Sequence, residues 1–405
     1  MPISKKQKLL SFLPTHINCF QLILVAIFFF GMISHHSIEI IRYVFLALLI
    51  LNLEFLKKAI TSKGALLLVC FIFVVIISNF INSISLSYLD RPLNWLIAYL
   101  IGYIALIKNK EKKIIDICIN ILALILVTQF LYHRHGNIFD GRYANHMNSP
   151  NQFAIIVLIP LYFYIFKFLT CLKNFKNIKN SIFSLLFNLL CFAFFYFLLL
   201  TTKARTIVIL NSLLLITMPL FLLTKKQALT IIVLVGTFLL SSLLFLSPQY
   251  KQRFVDSVVH FQSDSSFQER FPIWFAAEKC FWEKPILGNG LGSFRACYEK
   301  HLPEYKNLHP KMPYLNTTNH AHNFFLHFLA ETGIVGTLFI LIFFSVSVFY
   351  AVSSNRYVYL AYIIVGSIGG FMMNMNFYIR EISTFLMIIT GWIFALKELE
   401  KQGSL

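Results

Sequence analysis

Two histidines and two asparagines stand together at Asn319-His320-Ala321-His322-Asn323, directly before Phe324-Phe325-Leu326-His327. An imidazole titrates at about 6.5, which suits it to move a proton near neutral pH. Residues 323–332 read as a short helix whose apolar part is Phe324, Phe325, Phe328 and Leu329, and Gly333 and Gly336 then lead into a membrane span. His322 is therefore expected at the outer membrane-water boundary, where a lipid headgroup sits. On spacing alone three readings of His322 stay open: a general base, a metal ligand paired with His320, or an interfacial histidine satisfied by backbone. A His-x-His pair without a third ligand is a poor zinc signature, and no metal and no cofactor is expected.

Cations form the second group. Thr201-Thr202-Lys203-Ala204-Arg205 is wedged between two apolar runs, where charge is costly unless solvated or paired. Snorkelling to the interface is the plain alternative for these side chains. Phe267-Gln268-Glu269-Arg270-Phe271-Pro272-Ile273-Trp274 places Arg270 beside Glu269, so Arg270 either pairs with it or faces water. Lys284-Pro285-Ile286-Leu287-Gly288-Asn289-Gly290-Leu291-Gly292-Ser293-Phe294 has the spacing G-x-G-x-G with no strand before it. That is not a dinucleotide fingerprint; it reads as a tight loop before a helix.

The elements that position these residues follow from composition. Of 405 residues, 58% are apolar and 13% charged, with 44 Phe; the mean hydropathy is +0.72. An ordinary globular protein is about 25% charged, so a soluble fold is excluded and a polytopic membrane protein is expected. The fold class is all-α, with about twelve transmembrane helices near 19–36, 38–56, 64–84, 93–107, 114–132, 152–170, 182–200, 206–223, 228–246, 334–352, 358–376 and 382–396. The domain division is 1–246 for helices 1–9, 247–322 for one large outer loop, and 323–405 for an interfacial helix and helices 10–12. Lys5, Lys6 and Lys8 precede the first run without a small-x-small cleavage site, so an uncleaved first span is expected. Within the loop, short helices are expected near 266–282 and 292–301. Cys280 and Cys297 share that loop, where a disulfide is chemically permitted.

Charge tests this division. With the N-terminus inside, the inner segments hold eighteen Lys and Arg and the short outer segments six, as the positive-inside rule requires. The net charge of +18 thus reflects topology and anionic lipid rather than nucleic acid. Only one of the eighteen inner cations is Arg, whereas eight of the ten Arg fall on the outer side. Lys suffices for topology; Arg adds a planar fork for phosphate or carboxylate. An outer-face site for a phosphorylated or acidic ligand is the functional reading, and an arbitrary Lys/Arg choice around a topology signal is the other.

These pieces, in this order, resemble the O-antigen ligase and polymerase superfamily of bacterial inner-membrane glycosyltransferases. The motifs are Arg205 at the outer start of the eighth span, Arg270 followed by Gly288 to Gly292, and His320 to Gly336 with Glu331-Thr332-Gly333. Gly141-Arg142-Tyr143 and Asn148-Ser149-Pro150-Asn151-Gln152 also fit. Ala204 stands where the family often has Ser. Asn374 and Asn376 stand where some ligases have an Asp, with Arg380-Glu381 a substitute. The resemblance implies transfer of a preassembled glycan from undecaprenyl pyrophosphate to a hydroxyl of lipid A-core on the periplasmic face of the inner membrane. It implies His322 as the base and Arg205 and Arg270 on the pyrophosphate, with Arg142, His320, Asn323 and Arg380 in support. A polymerase, a protein O-oligosaccharyltransferase and a lipid-linked glycan transporter are the alternatives. A transporter is expected to show internal repeats and midplane charge, and neither is evident in the sequence.

Overall fold

The computed structural model describes residues 50, 53–109, 113–132, 138–139, 142–143, 150–173, 178–244, 268–353 and 380–403. The apolar runs become α1 (Leu53–Ile60), α2 (Lys63–Ile81), α3 (Asp90–Asn109), α4 (Lys113–Tyr132), α5 (Pro150–Lys173), α6 (Ile178–Thr201), α7 (Arg205–Leu222) and α8 (Lys225–Leu244). Then follow α9 (Arg270–Glu283), α10 (Phe294–Leu308), α11 (Phe324–Ser353) and α12 (Arg380–Lys401). Among the described residues the one departure from an all-helical chain is a two-residue antiparallel ladder. In it β1 (Ile138–Phe139) faces β2 (Arg142–Tyr143), with Phe139 opposite Arg142.

Helices are what a bilayer selects, because each satisfies its own backbone polar groups. Among the described residues four helices are long and apolar enough to cross a membrane: Lys63–Ile81, Phe153–Lys173, Ile182–Thr201 and Phe324–Ser353. Asp116–Leu131, Ile207–Leu220 and Gln227–Thr237 are apolar but shorter. The expected spans near 19–36 and 358–376, and most of 38–56, lie outside the described residues. Phe73, Phe80, Leu124, Phe183 and Leu190 are exposed, which suits helix faces turned to lipid.

Packing between helices uses small residues where backbones meet. α12 lies along α3, with Gly102 against the backbone of Ile388 and Gly391 against Tyr99 and Tyr103. α5 and α6 form a pair in which the Tyr164 and Phe195 rings stack at 5.8 Å. α2 packs on α11 through Phe71, whose ring meets Phe328 at 5.8 Å and Trp95 of α3 at 5.9 Å.

A second, smaller core belongs to α9 and α10. Ile273, Ala276, Cys280, Phe294, Cys297 and Tyr298 are its centre, and Ala321 and Ala330 join it from the α11 side. A Cys280–Cys297 disulfide links the two helices. The expected loop helices near 266–282 and 292–301 are thus present, the second extending further, to Leu308.

α11 is two limbs. Gly333 has φ 63° and ψ −168°, outside helical space, so the chain breaks between 324–332 and 334–353. This matches the short helix expected over 323–332 and the span expected over 334–352.

Candidate functional site

The histidine segment is held at the head of α11 from both sides. Asn323 Oδ1 accepts the Leu326 N–H at 3.1 Å, an N-cap bond that starts the helix. Immediately before it, His322 has φ 48°, a left-handed conformation uncommon for a residue with a side chain. Both backbone groups of Ala321 are taken. Its N–H donates to His327 Nδ1 at 3.4 Å, and its carbonyl accepts from Trp274 Nε1 of α9 at 3.1 Å. The left-handed turn at His322 is therefore fixed by the residue before it and the residue after it.

His327 is fully buried and its Nε2 lies 3.2 Å from Glu331 Oε2, one helical turn on. Glu331, also buried, uses Oε1 to accept the Phe294 N–H at 3.1 Å. It therefore serves the first turn of α10, where Ser293 makes no side-chain cap bond. An acidic group there also suits the positive end of the helix. Glu331 thus ties α10 to His327, and through His327 to Ala321.

The glycine-rich loop closes the break in α11. A helix interrupted at Gly333 leaves carbonyls on one side and N–H groups on the other without helical partners. Asn289 and Gly290 donate to the Ala330 and Glu331 carbonyls at 3.0 and 2.8 Å. Ile334 and Val335 donate to the Pro285 and Ile286 carbonyls at 2.8 and 3.2 Å. Gly288, Gly290 and Gly292 all have positive φ, as a tight loop before α10 requires. From α2, Asn79 Oδ1 accepts the Leu291 N–H at 2.6 Å, and Asn82 Nδ2 donates to the Gly288 carbonyl at 3.0 Å. The loop is a structural clasp joining α2, α9, α10 and α11.

His320 is as firmly framed as His322. Its N–H donates to Thr318 Oγ1 at 3.3 Å, and Thr318 Oγ1 donates to its carbonyl at 3.0 Å. Its ring centre lies 6.2 Å from that of His327 and 6.5 Å from that of His322. The backbone frame is local, set by Thr318 two residues back, while the His327 ring comes from the first limb of α11. Burial, reinforced by His327, His322 and Arg91 and partly offset by Glu331, pushes the His320 imidazole down to about 4. At neutral pH His320 is uncharged and a weak base.

Of the residues expected at the site, the structure brings His320 and His322 together with Asn323. Arg270 opens α9 one turn before Trp274. Arg205 opens α7, preceded by Lys203 at φ 51° and by Ala204, which makes no side-chain cap bond. The backbone of Arg142 lies in β2 and that of Arg380 starts α12. The side chains of Arg142, Arg205 and Arg380 lie outside the described residues, as do Asn148, Asn374 and Asn376. Trp274, His327, Glu331 and Arg91 were not singled out by the sequence reading as site residues. The local signals were the i, i+4 spacing of His327 and Glu331 and the Glu331-Thr332-Gly333 motif.

This junction falls inside a region with a known likeness. Residues 189–341 match the O-antigen ligase family model. The match runs from within α6 to within α11 and covers less than half of the chain. No curated protein matches the chain. Over 189–341 the resemblance to the O-antigen ligase superfamily is thereby shown, and with the apolar helices it supports a membrane transferase of the ligase or polymerase type.

Proposed function

We propose that the protein is a lipid A-core:O-antigen ligase of the bacterial inner membrane. It transfers a preassembled glycan from undecaprenyl pyrophosphate to a sugar hydroxyl of lipid A-core. The observation that carries this reading is the fixed His320–Asn323 segment at the head of an apolar helix, inside the family-matched region. The chain then has about twelve spans, cytoplasmic termini, and residues 247–322 in the periplasm between the bundles 1–246 and 323–405. A Cys280–Cys297 disulfide suits that oxidising compartment.

In this reading His322 removes the proton from the acceptor hydroxyl. The oxygen attacks the anomeric carbon opposite the leaving group, so the configuration inverts. The carbon–oxygen bond to pyrophosphate breaks, and its electron pair leaves on the phosphate. Arg205 and Arg270 neutralise that charge through bidentate hydrogen bonds, with Arg142 and Arg380 in support. No metal or cofactor takes part. His320, uncharged at neutral pH, supports the segment rather than serving as base.

The banding of lipopolysaccharide from a deletion strain tests the function. Loss of all attached glycan, with lipid-linked polymer retained, is the expected result. A single attached repeat makes the protein a polymerase of the same superfamily and overturns the ligase reading.

A further inference from the structure

The α9–α10 unit carries a cleft that none of the chemistry above uses. It is open and has a volume of about 470 Å³, within the range of about 300–1,000 Å³ usual for small-ligand sites. Phe271, Trp274 and Phe275 of α9 and Tyr305 of α10 line it, with Glu278 and His309 among the polar groups. The Phe271 and Trp274 rings lie at 80° to each other, 6.2 Å apart. Phe275 and Tyr305 are 5.5 Å apart, and Tyr305 and His309 4.8 Å. Aromatic rings in more than one plane thus line the cleft, beside an exposed carboxylate and an imidazole.

That mixture matches a sugar ring. A pyranose presents an apolar C–H face, which packs on aromatic rings, and an edge of hydroxyls, which a carboxylate and an imidazole bind. An acyl chain would leave the Glu278 and His309 edge unused, and a lipid phosphate would find no Lys or Arg in the lining. The cleft also adjoins the histidine segment. Trp274 lines it while its indole N–H holds the Ala321 carbonyl, and Leu326, in the first turn of α11, forms part of the wall.

We propose that this cleft is a saccharide subsite that seats a sugar ring beside the His320–His322 segment. The proposal rests on the ligase reading. Such a ring has two sources, the lipid A-core acceptor and the donor glycan.

The test uses the full-length protein in detergent, with two probes. One is the acceptor core oligosaccharide released from lipid A by mild acid; the other is the repeat-unit oligosaccharide. Saturation-transfer NMR reads binding of each, and reconstituted transfer gives kcat and KM. Phe275→Leu keeps apolar volume but removes one aromatic face, and His309→Ala removes an edge partner. The expected result is binding of one oligosaccharide, weakened in both variants. KM for that same substrate should rise by about tenfold in Phe275→Leu with kcat largely kept. Binding of the core assigns the ring to the acceptor, and binding of the repeat unit assigns it to the donor. Absence of binding by either probe, with wild-type transfer intact, overturns the subsite and leaves the ligase reading standing. Unchanged KM in both variants also overturns it. Saccharide binding without any transfer by the wild type overturns the ligase reading alone.

Discussion

Gly288 and Gly333 meet backbone to backbone. A Cβ on Gly333 would run into the Ile286 carbonyl and the Gly288 nitrogen, and a Cβ on Gly288 would run into Glu331 and the Gly333 nitrogen. The close approach lets the loop reach the broken ends of α11, and it needs glycine on both sides. Gly333 also holds φ 63° and ψ −168°, a region that is essentially glycine's alone.

Gly333→Ala should therefore be strongly destabilising, by about 1–3 kcal/mol from the backbone alone, with the steric conflict added. Gly236→Ala is the control, because Gly236 lies inside α8 without a positive φ and with open space around it. Thermal melting in detergent should show a clear fall for Gly333→Ala and no fall for Gly236→Ala. Equal melting of Gly333→Ala and wild type would remove the clasp from the account.

Glu331 can be tested by separating its charge from its oxygen. Glu331→Gln keeps an acceptor for the Phe294 N–H, whereas Glu331→Ala leaves that N–H and His327 without it. A buried donor left unsatisfied costs about 1–3 kcal/mol. Melting and transfer should both be better preserved in Gln than in Ala. Loss of transfer in Glu331→Gln with normal melting would instead make the carboxylate a chemical participant.

The depressed His320 imidazole gives a pH dependence with a definite sign. Its ordinary value is about 6.5, and in the folded protein it is about 4. Between these values the unfolded chain binds the proton and the folded chain does not. The contribution of His320 to stability is thus fully present above about 6.5 and is lost as pH falls toward 4. Melting temperatures measured across that window should decline less steeply in His320→Asn than in wild type. Parallel declines would show that His320 is not the group responsible.

Transfer assays on purified lipid-linked glycan separate the two histidines. His322→Ala should lose about 10²–10⁴-fold in rate, the usual contribution of a positioned base, while His320→Ala keeps a measurable fraction. Arg205→Lys and Arg270→Lys should fall sharply too, since lysine keeps the charge but not the fork. Rescue by a divalent metal after chelation would replace the base assignment with a metal site. Wild-type activity in His322→Ala would return that residue to an interfacial role.

Reporter fusions at Lys225 and Lys306 should report opposite sides of the membrane. The expectation comes from the basic inner connections, and Lys225 opens α8 while Lys306 lies in the last turn of α10. The same side for both would end the twelve-span topology.

Much of this protein is written locally in its chain. Sustained apolar runs dictate helices because the bilayer leaves no other backbone solution; α2 to α8 lie within a few residues of the apolar runs, and of them α2, α5 and α6 are long and apolar enough to cross a membrane. The start of α11 was legible at Asn323 and its break at Gly333, since a capping side chain and a glycine act within one turn. The loop Gly288 to Gly292 read correctly as a tight turn before a helix for the same reason. What it joins was not legible. Its partners, Asn79, Asn82 and the broken ends of α11, lie far along the chain or across a fold, and hydrogen bonds between distant segments leave no local period. The pinning of Ala321 by Trp274 and His327, the burial that lowers His320, and the diversion of Glu331 to the first turn of α10 are likewise tertiary. They exist because α9, α10 and α11 converge on one small core, and only the packing of that core decides which polar group meets which.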